Sequence, residues 1–556
     1  MIPKASRRWR AFACAALLLT GCPGERRMPD VLVVTCDTLR ADRLHLYGHD
    51  RPTSPHLDAL AKESVVFDRA YASSSFTPPS HASILTSSHV PTHAVRGWTT
   101  RLDPEVKTIA ERLGPVLGYR TAAFLNLDNL QQLDLTRGFE HVRSGMWQPG
   151  TELNEDFFRW LDAAPATKPA LAWLHFWDPH RPYGWREWGF LAPAAATPEQ
   201  VAAMSPAARA THDRRVALSS RLPFPFNETL FGKGEPSVGR SEGHYNRKAA
   251  SRSLAGALKP DDDRFLVDRY DGGVAFLDAC LGDLVDGLRR RGRLDDTILV
   301  ITSDHGESFT EREDEWFTHD PHLHEEVTHV PLLVRFPRGE NGGKRVAELA
   351  QQIDVVPTVL DVLGRLRLES VQGRSLLPLV RGEAGPQSVF AETQTTWSVE
   401  SDPNGGAAVE SRTHRLQIGP RGRVEVFDRI LDPERKRDLH ADPPAMIETL
   451  LRKKLDAWLA TSPKPGHANV IAERKVAVRT KRHRLIWEVD SDRRELYDLE
   501  ADPKETKNLH TDPPGALEKE LFEEIQRHLR ETKKGVDAQI PLDPMLGDIG
   551  YGGKVR

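Results

Sequence analysis

Two short strings carry most of the chemistry in this chain. The apolar, β-branched run Val31-Leu32-Val33-Val34-Thr35-Cys36 ends in Asp37-Thr38-Leu39-Arg40-Ala41-Asp42. A second run, Ile298-Leu299-Val300-Ile301-Thr302, ends in Ser303-Asp304-His305-Gly306-Glu307. Continuous apolar runs of this kind read as strands buried on both faces. Ligand sites of open α/β sheets lie at the carboxyl ends of parallel strands, which predicts that Asp37 and Asp304–His305 face one crevice. Two carboxylates, an imidazole and a hydroxyl oxygen suit a hard-to-borderline divalent cation. Taken singly, an aspartate after a strand is more often a turn former or helix cap. The pairing of two such endings is what points to a metal.

The hydroxyl comes from Thr77-Pro78-Pro79-Ser80-His81-Ala82-Ser83-Ile84-Leu85-Thr86-Ser87. A helix is expected to open at Ser80–Leu85 and aim its first N–H groups at an anion. With the two strand endings, this segment resembles the sulfatase branch of the alkaline phosphatase superfamily, whose signature reads C/S-x-P-S-R-x-x-x-L-T-G. Pro79, Ser80, Leu85 and Thr86 match; Thr77, His81 and Ser87 depart from it. The family's nucleophile is an aldehyde made by oxidising a thiol or a primary alcohol. Threonine is a secondary alcohol and would give only a ketone, so the resemblance implies an unmodified Thr77 hydroxyl here.

The likeness runs through most of the chain in family order: Arg51-Pro52-Thr53-Ser54-Pro55, Gly118-Tyr119-Arg120-Thr121, His175-Phe176-Trp177-Asp178-Pro179-His180-Arg181-Pro182-Tyr183, His329-Val330-Pro331-Leu332-Leu333 and Glu495-Leu496-Tyr497-Asp498-Leu499. Carried over residue by residue, it implies that Asp37, Thr38, Thr77, Asp304 and His305 hold a divalent ion (zinc, manganese or calcium). Thr38 stands where the family often has a second carboxylate. Thr77 is the implied nucleophile, with His180, His319 and His81 as further catalytic residues. Asp178, His180 and His319 are candidates for a second ion, at the roughly 4 Å spacing of two-metal clamps. Asn126 and Asp128 replace the family's Lys-x-His pair, which removes basic groups that hold a sulfate. A histidine taken alone is more often an ordinary hydrogen-bonding residue.

The resemblance implies an α/β fold: a doubly wound, mostly parallel sheet with a smaller α+β C-terminal subdomain. It implies a metal-dependent hydrolase of sulfate or phosphate esters, acting on a small-molecule, glycan or lipid ester. A metal-held alkoxide suits phosphate esters at least as well as sulfates. Two other classes stay open: a headgroup phosphoryl transferase of the cell envelope, and a lipid-anchored binding protein that has lost the chemistry.

The elements that must position these groups are legible in part. Leu171–Phe176 reads as a strand, Leu57–Glu63 and Val106–Leu113 as helices. From Arg264 to Gly292, Leu266, Tyr270, Val274, Leu277, Leu281, Leu284 and Leu288 recur at three- and four-residue steps, an amphipathic helix feeding the Asp304 strand. Between 184 and 263 the alternation fades into an excursion beside the site entrance. The catalytic domain is expected over 30–395 and the C-terminal subdomain over 396–540, with a tail at 541–556. In that subdomain His414-Arg415-Leu416 and Val426-Phe427-Asp428 recur as His483-Arg484-Leu485 and Leu496-Tyr497-Asp498, a doubled strand unit.

The N-terminus has a basic start (Lys4, Arg7, Arg8, Arg10), an apolar run Ala11–Leu19 too short to span a bilayer, and Leu19-Thr20-Gly21-Cys22. This resembles a bacterial lipoprotein signal over 1–21, with lipid on Cys22, a tether at 22–29 and a cell-envelope location. Cys36 and Cys280, in apolar patterns, are expected as buried free thiols. The net charge of −4, from 76 basic and 80 acidic side chains, gives no field that would recruit nucleic acid. Oligomeric state is not legible.

Overall fold

The computed structural model of the protein describes residues 27–98, 100–145, 148–165, 167–181, 183, 204–206, 209, 262–312, 317–319, 322–365, 371–401, 407–410, 414–418, 424–428, 455, 466–489 and 491–532. The expected signal segment, nearly all of the 184–263 excursion and the tail fall outside these residues. No described helix is long and apolar enough to cross a membrane.

The chain first builds β1 (Asp30–Cys36), β2 (Val65–Tyr71), β3 (Arg120–Leu125), β4 (His141–Ser144), β5 (Ala170–Phe176), β6 (Thr297–Ser303), β7 (His329–Val330), β8 (Leu332–Arg335) and β9 (Arg345–Gln351). They form one nine-stranded sheet in the order β4-β3-β5-β1-β6-β8-β2-β7, with β9 also on β2. The block β4-β3-β5-β1-β6 is parallel throughout, while β8 pairs antiparallel with both β6 and β2. Side chains alternate across the pleat. Val31, Val33, Ile298 and Val300 enter the core on one face, and Leu32, Val34, Leu299 and Ile301 the core on the other. Burial on both faces is why these strands are uninterrupted apolar runs.

Helices cover both faces. Thr77–Thr86, Ile109–Leu117 and Val355–Val362 pack on the first; Gly150–Asp162 and Asp262–Arg290 on the second. Asp262–Arg290 is the amphipathic helix expected from the sequence, and all seven residues of its stripe are buried. Ile109–Leu117 starts later than expected because Thr108 caps it in a capping box with Glu111. Cys36 and Cys280 are buried free thiols, as expected.

A second, seven-stranded antiparallel sheet follows: β10 (Ser388–Ser401), β11 (Ala407–Glu410), β12 (His414–Ile418), β13 (Val424–Asp428), β14 (Gly466–Thr480), β15 (His483–Glu488) and β16 (Arg493–Asp498), in the order β13-β12-β11-β10-β14-β15-β16. β10 runs across the expected division at residue 395, so this sheet begins at Ser388. The doubled sequence unit becomes two hairpins with matching register: His414 faces Asp428 and Arg415 faces Phe427 in one, His483 faces Asp498 and Arg484 faces Tyr497 in the other. The helix Ala516–Thr532 packs Leu521, Ile525 and Leu529 onto β14–β16.

Candidate active site

The register of the parallel strands assembles the site. On β1 and β6, Thr35 pairs with Thr302 and Cys36 with Ser303, so Asp37 and Asp304 leave neighbouring strands at the same level. Arg40 locks the two strand endings together, donating from Nη1 to the Glu307 carbonyl (2.8 Å) and pairing with Glu311 (2.7 Å). Gly306 is required for the same closure: a Cβ there would meet the Glu326 carbonyl oxygen at 2.1 Å. Thr38 adopts φ 56, unusual for a β-branched residue, and holds it through two bonds. Its N–H donates to Asp304 Oδ1 (3.1 Å), and the Tyr270 hydroxyl donates to its carbonyl (2.7 Å).

Asp37, Thr38, Thr77, Asp304 and His305 are all buried, Thr77 retaining 4% of its surface. Asp304 Oδ1 accepts from the N–H groups of Thr38 and His305 (3.1 and 2.8 Å), which leaves Oδ2 without a hydrogen-bond partner. Both Asp37 oxygens and Thr38 Oγ1 are also buried without one. Burial first, then the facing carboxylates of Asp304 and Glu307, push Asp37 well above the usual carboxylate range. Ligand atoms of Asp37, Asp304 and His305 lie within 4.8 Å of one another. His305 Nδ1 bonds the Gly306 carbonyl (2.9 Å), so Nδ1 carries the proton and Nε2 is bare, 3.2 Å from Thr77 Oγ1. Orphaned carboxylate oxygens, a bare imidazole nitrogen and a hydroxyl fit a divalent cation.

The helix bearing Thr77 differs from expectation in a way that matters. It opens at Thr77, not Ser80, with Pro78 and Pro79 in its first turn, where proline is well tolerated. Those two residues have no N–H, and the Ser80 N–H is spent on the Phe76 carbonyl (3.1 Å). The expected row of helix N–H donors toward an anion is therefore largely absent.

His81 lies behind Thr77. Its Nδ1 donates to the Thr77 carbonyl (2.9 Å), and Nε2 meets the Thr35 hydroxyl (3.1 Å). Burial pushes its pKa down to about 3, so it stays neutral and braces the helix. Thr35 also accepts from Trp173 Nε1 (3.0 Å) and contacts His175 Nδ1 (3.1 Å), which sets His175 Nε2 3.5 Å from Asp37 Oδ2. Across the crevice the His319 ring lies 4.4 Å from that of His305, with Nδ1 3.2 Å from Glu307 Oε1. His180 packs on Trp177 at 4.0 Å, its Nδ1 on the Arg181 carbonyl (2.8 Å), and its ring 5.6 Å from His319. All of the expected residues thus fall into one cluster.

The second ion expected at Asp178, His180 and His319 is not supported: these residues do not bring three ligand atoms together. Asn126 is buried with Nδ2 on the Gln148 carbonyl (2.9 Å), a structural tie and not an anion contact. The sequence reading missed three residues here. Glu307, fully buried, orients His319; His175 faces Asp37; Arg181, 7% exposed, sits with Nε 3.7 Å from Glu307 Oε2 and pulls Asp37 down electrostatically. Each lay inside a quoted motif, and a buried charge beside two strand-end carboxylates was the available signal.

A family profile described as Sulfatase matches residues 29–365. The chain belongs to the sulfatase family. A second profile, N-sulphoglucosamine sulphohydrolase C-terminal, matches residues 312–459. Among curated sulfatase relatives, the chain is 24% identical to the N-acetylglucosamine-6-O-sulfatase of Bacteroides thetaiotaomicron, over 66% of this chain and 74% of that protein. It is 24% identical to arylsulfatase K of Gallus gallus (77% and 80%) and 25% identical to the choline-sulfatase of Rhizobium meliloti (75% and 81%). A solved structure of a protein with its substrate D-glucosamine-2-N,6-O-disulfate has the same fold, with TM-score 0.59 and 18% identity over 92% of this chain and all of that one.

Proposed function

We propose that this sulfatase-family hydrolase cleaves sulfate or phosphate esters with the unmodified Thr77 hydroxyl as nucleophile. The observation that carries this reading is the 3.2 Å approach of Thr77 Oγ1 to the bare Nε2 of His305, beside carboxylate oxygens that have no partner of their own. A divalent ion held by Asp37, Asp304, His305 and the hydroxyls of Thr77 and Thr38 supplies the lowering of hydroxyl pKa and the screening of an anionic substrate. The remaining work falls to side chains. Thr77 Oγ, having given its proton to solvent, attacks the sulfur or phosphorus, the bond to the ester oxygen breaks, and that oxygen leaves as an alcohol on taking a proton from protonated His319. His319, oriented by Glu307, donates the proton to that oxygen and then takes one from the water that cleaves the Thr77 ester. Arg181 balances charge on the transferred group, in place of the missing Lys-x-His pair and of helix N–H groups lost to the prolines.

A panel of aryl sulfate, phosphomonoester and phosphodiester substrates, measured with metal present, tests the substrate class. Phosphoester turnover is expected to exceed that of the sulfate, because the groups specialised for a sulfate monoanion are those that this chain lacks. Turnover of sulfate alone would refute that ordering, and no turnover with metal bound would favour a binding protein. We further propose that Cys22 carries a lipid that holds the hydrolase in the cell envelope.

A further inference from the structure

A second cluster of ligands lies away from Thr77, where the segment after His319 meets the C-terminal sheet. His322, His324 and Glu326 alternate along the chain, and one ligand atom from each lies within 4.8 Å of the other two. Three observations on this cluster point to a metal. The Nδ1 atoms of His322 and His324 are 3.2 Å apart. Two imidazole nitrogens on one tetrahedral zinc, each about 2.05 Å from the ion, sit roughly 3.3 Å apart. Glu326 Oε1 completes the set at 3.9 Å from His322 Nδ1.

Two of the three ligands, His324 and Glu326, are backed by partners of the kind metal sites use, while His322 Nε2 is buried without one. His324 Nε2 lies 3.0 Å from Glu495 Oε2 on β16. Donation of that N–H to a carboxylate leaves the Nδ1 lone pair free to face an ion, the carboxylate–histidine arrangement common around zinc. Arg312 donates to both Glu326 oxygens (2.8 and 3.0 Å), fixing the carboxylate while its further lone pairs stay available. The site opens into a cleft of about 650 Å³ whose walls include Lys475, Glu488, Arg493 and Tyr497, leaving room for a fourth ligand from solvent. Three protein ligands and one open position are the usual form of an accessible zinc site.

We propose that His322, His324 and Glu326 bind a zinc ion where the segment after His319 faces the C-terminal sheet. The ion is distinct from the one assigned to Asp37, Asp304 and His305. The test uses the full chain stripped with a chelator and titrated with Zn²⁺ by calorimetry, with Co²⁺ as a spectroscopic probe. Asp304→Ala/His305→Ala should retain one zinc and the visible bands of tetrahedral cobalt. His322→Gln/His324→Gln should lose both, with its metal-free circular dichroism unchanged. Glu495→Gln, which leaves every ligand atom in place, should weaken zinc by ~10- to 100-fold. Loss of all zinc in Asp304→Ala/His305→Ala would overturn the proposal, as would unchanged zinc binding in His322→Gln/His324→Gln. Should that double variant fail to fold, unchanged affinity in Glu495→Gln would overturn it.

Discussion

At the scale of single residues, the proposed chemistry turns on the Thr77 hydroxyl. Thr77→Ala should reduce turnover by ~10³-fold or more while leaving thermal unfolding nearly unchanged. Thr77→Ser should keep most of the activity. Mass spectrometry of the mature protein should show an unaltered threonine; an oxidised side chain at 77 would end this reading. Chelation should likewise abolish turnover, and added zinc or manganese should restore it. Full activity in demonstrably metal-free protein would exclude the proposed role of Asp37 and Asp304. The meeting of Asp37 with Asp304 and His305 was legible because strand-end aspartates in a parallel sheet have one place to go. Arg181, Glu307 and His175 were not, because their value lies in what surrounds them. Glu307 stands three residues after Asp304 in sequence, and only the fold shows it buried against His319. The left-handed backbone at Thr38 had no local signal either, since a β-branched residue is a poor choice for that region.

At the scale of elements, the buried strands and the long helix Asp262–Arg290 could be read directly, because apolar runs and a 3.6-residue stripe each have one physical interpretation. The start of the helix at Thr77 could not: two consecutive prolines look like a break, yet the first turn tolerates both. The junction between the sheets was also hidden. Glu392 on β10 accepts from Arg474 on β14 (2.7 Å) and lies 3.3 Å from His528 of the last helix, while its N–H reaches the Ser73 carbonyl (2.9 Å). Burial alone would raise this carboxyl, but Arg474 and His528 outweigh it and hold it well below its ordinary 4.5. A depressed carboxylate contributes stability above its unfolded pKa and loses it as pH falls. Glu392→Gln should therefore cost ~2–4 kcal/mol near neutrality, with the gap to wild type closing as the pH drops below about 4.5. Denaturant unfolding across pH checks this, and a gap that stays constant down to pH 3 would contradict it.

At the scale of the whole molecule, the proposed lipid anchor makes a prediction about place. Cys22→Ala should move the protein from the membrane fraction to the soluble fraction, and native protein retaining residues 1–21 in the cytoplasm would refute the anchor. The doubled strand unit has a different consequence. Leu485 traces through Val478 to position 390 of β10, and Leu416 through Val409 to position 399. Those positions are nine apart on one strand, so the two copies hang from separate stretches of β10. Glu495 of the second copy looks into the cleft and holds His324; Glu425, its counterpart, accepts from Gln417 within its own hairpin (2.7 Å). An internal duplication whose copies hang from separate stretches of a strand does not by itself double a binding surface. It leaves one copy bound to its task and the other released to drift, so divergence among relatives should accumulate faster over 414–428 than over 483–498.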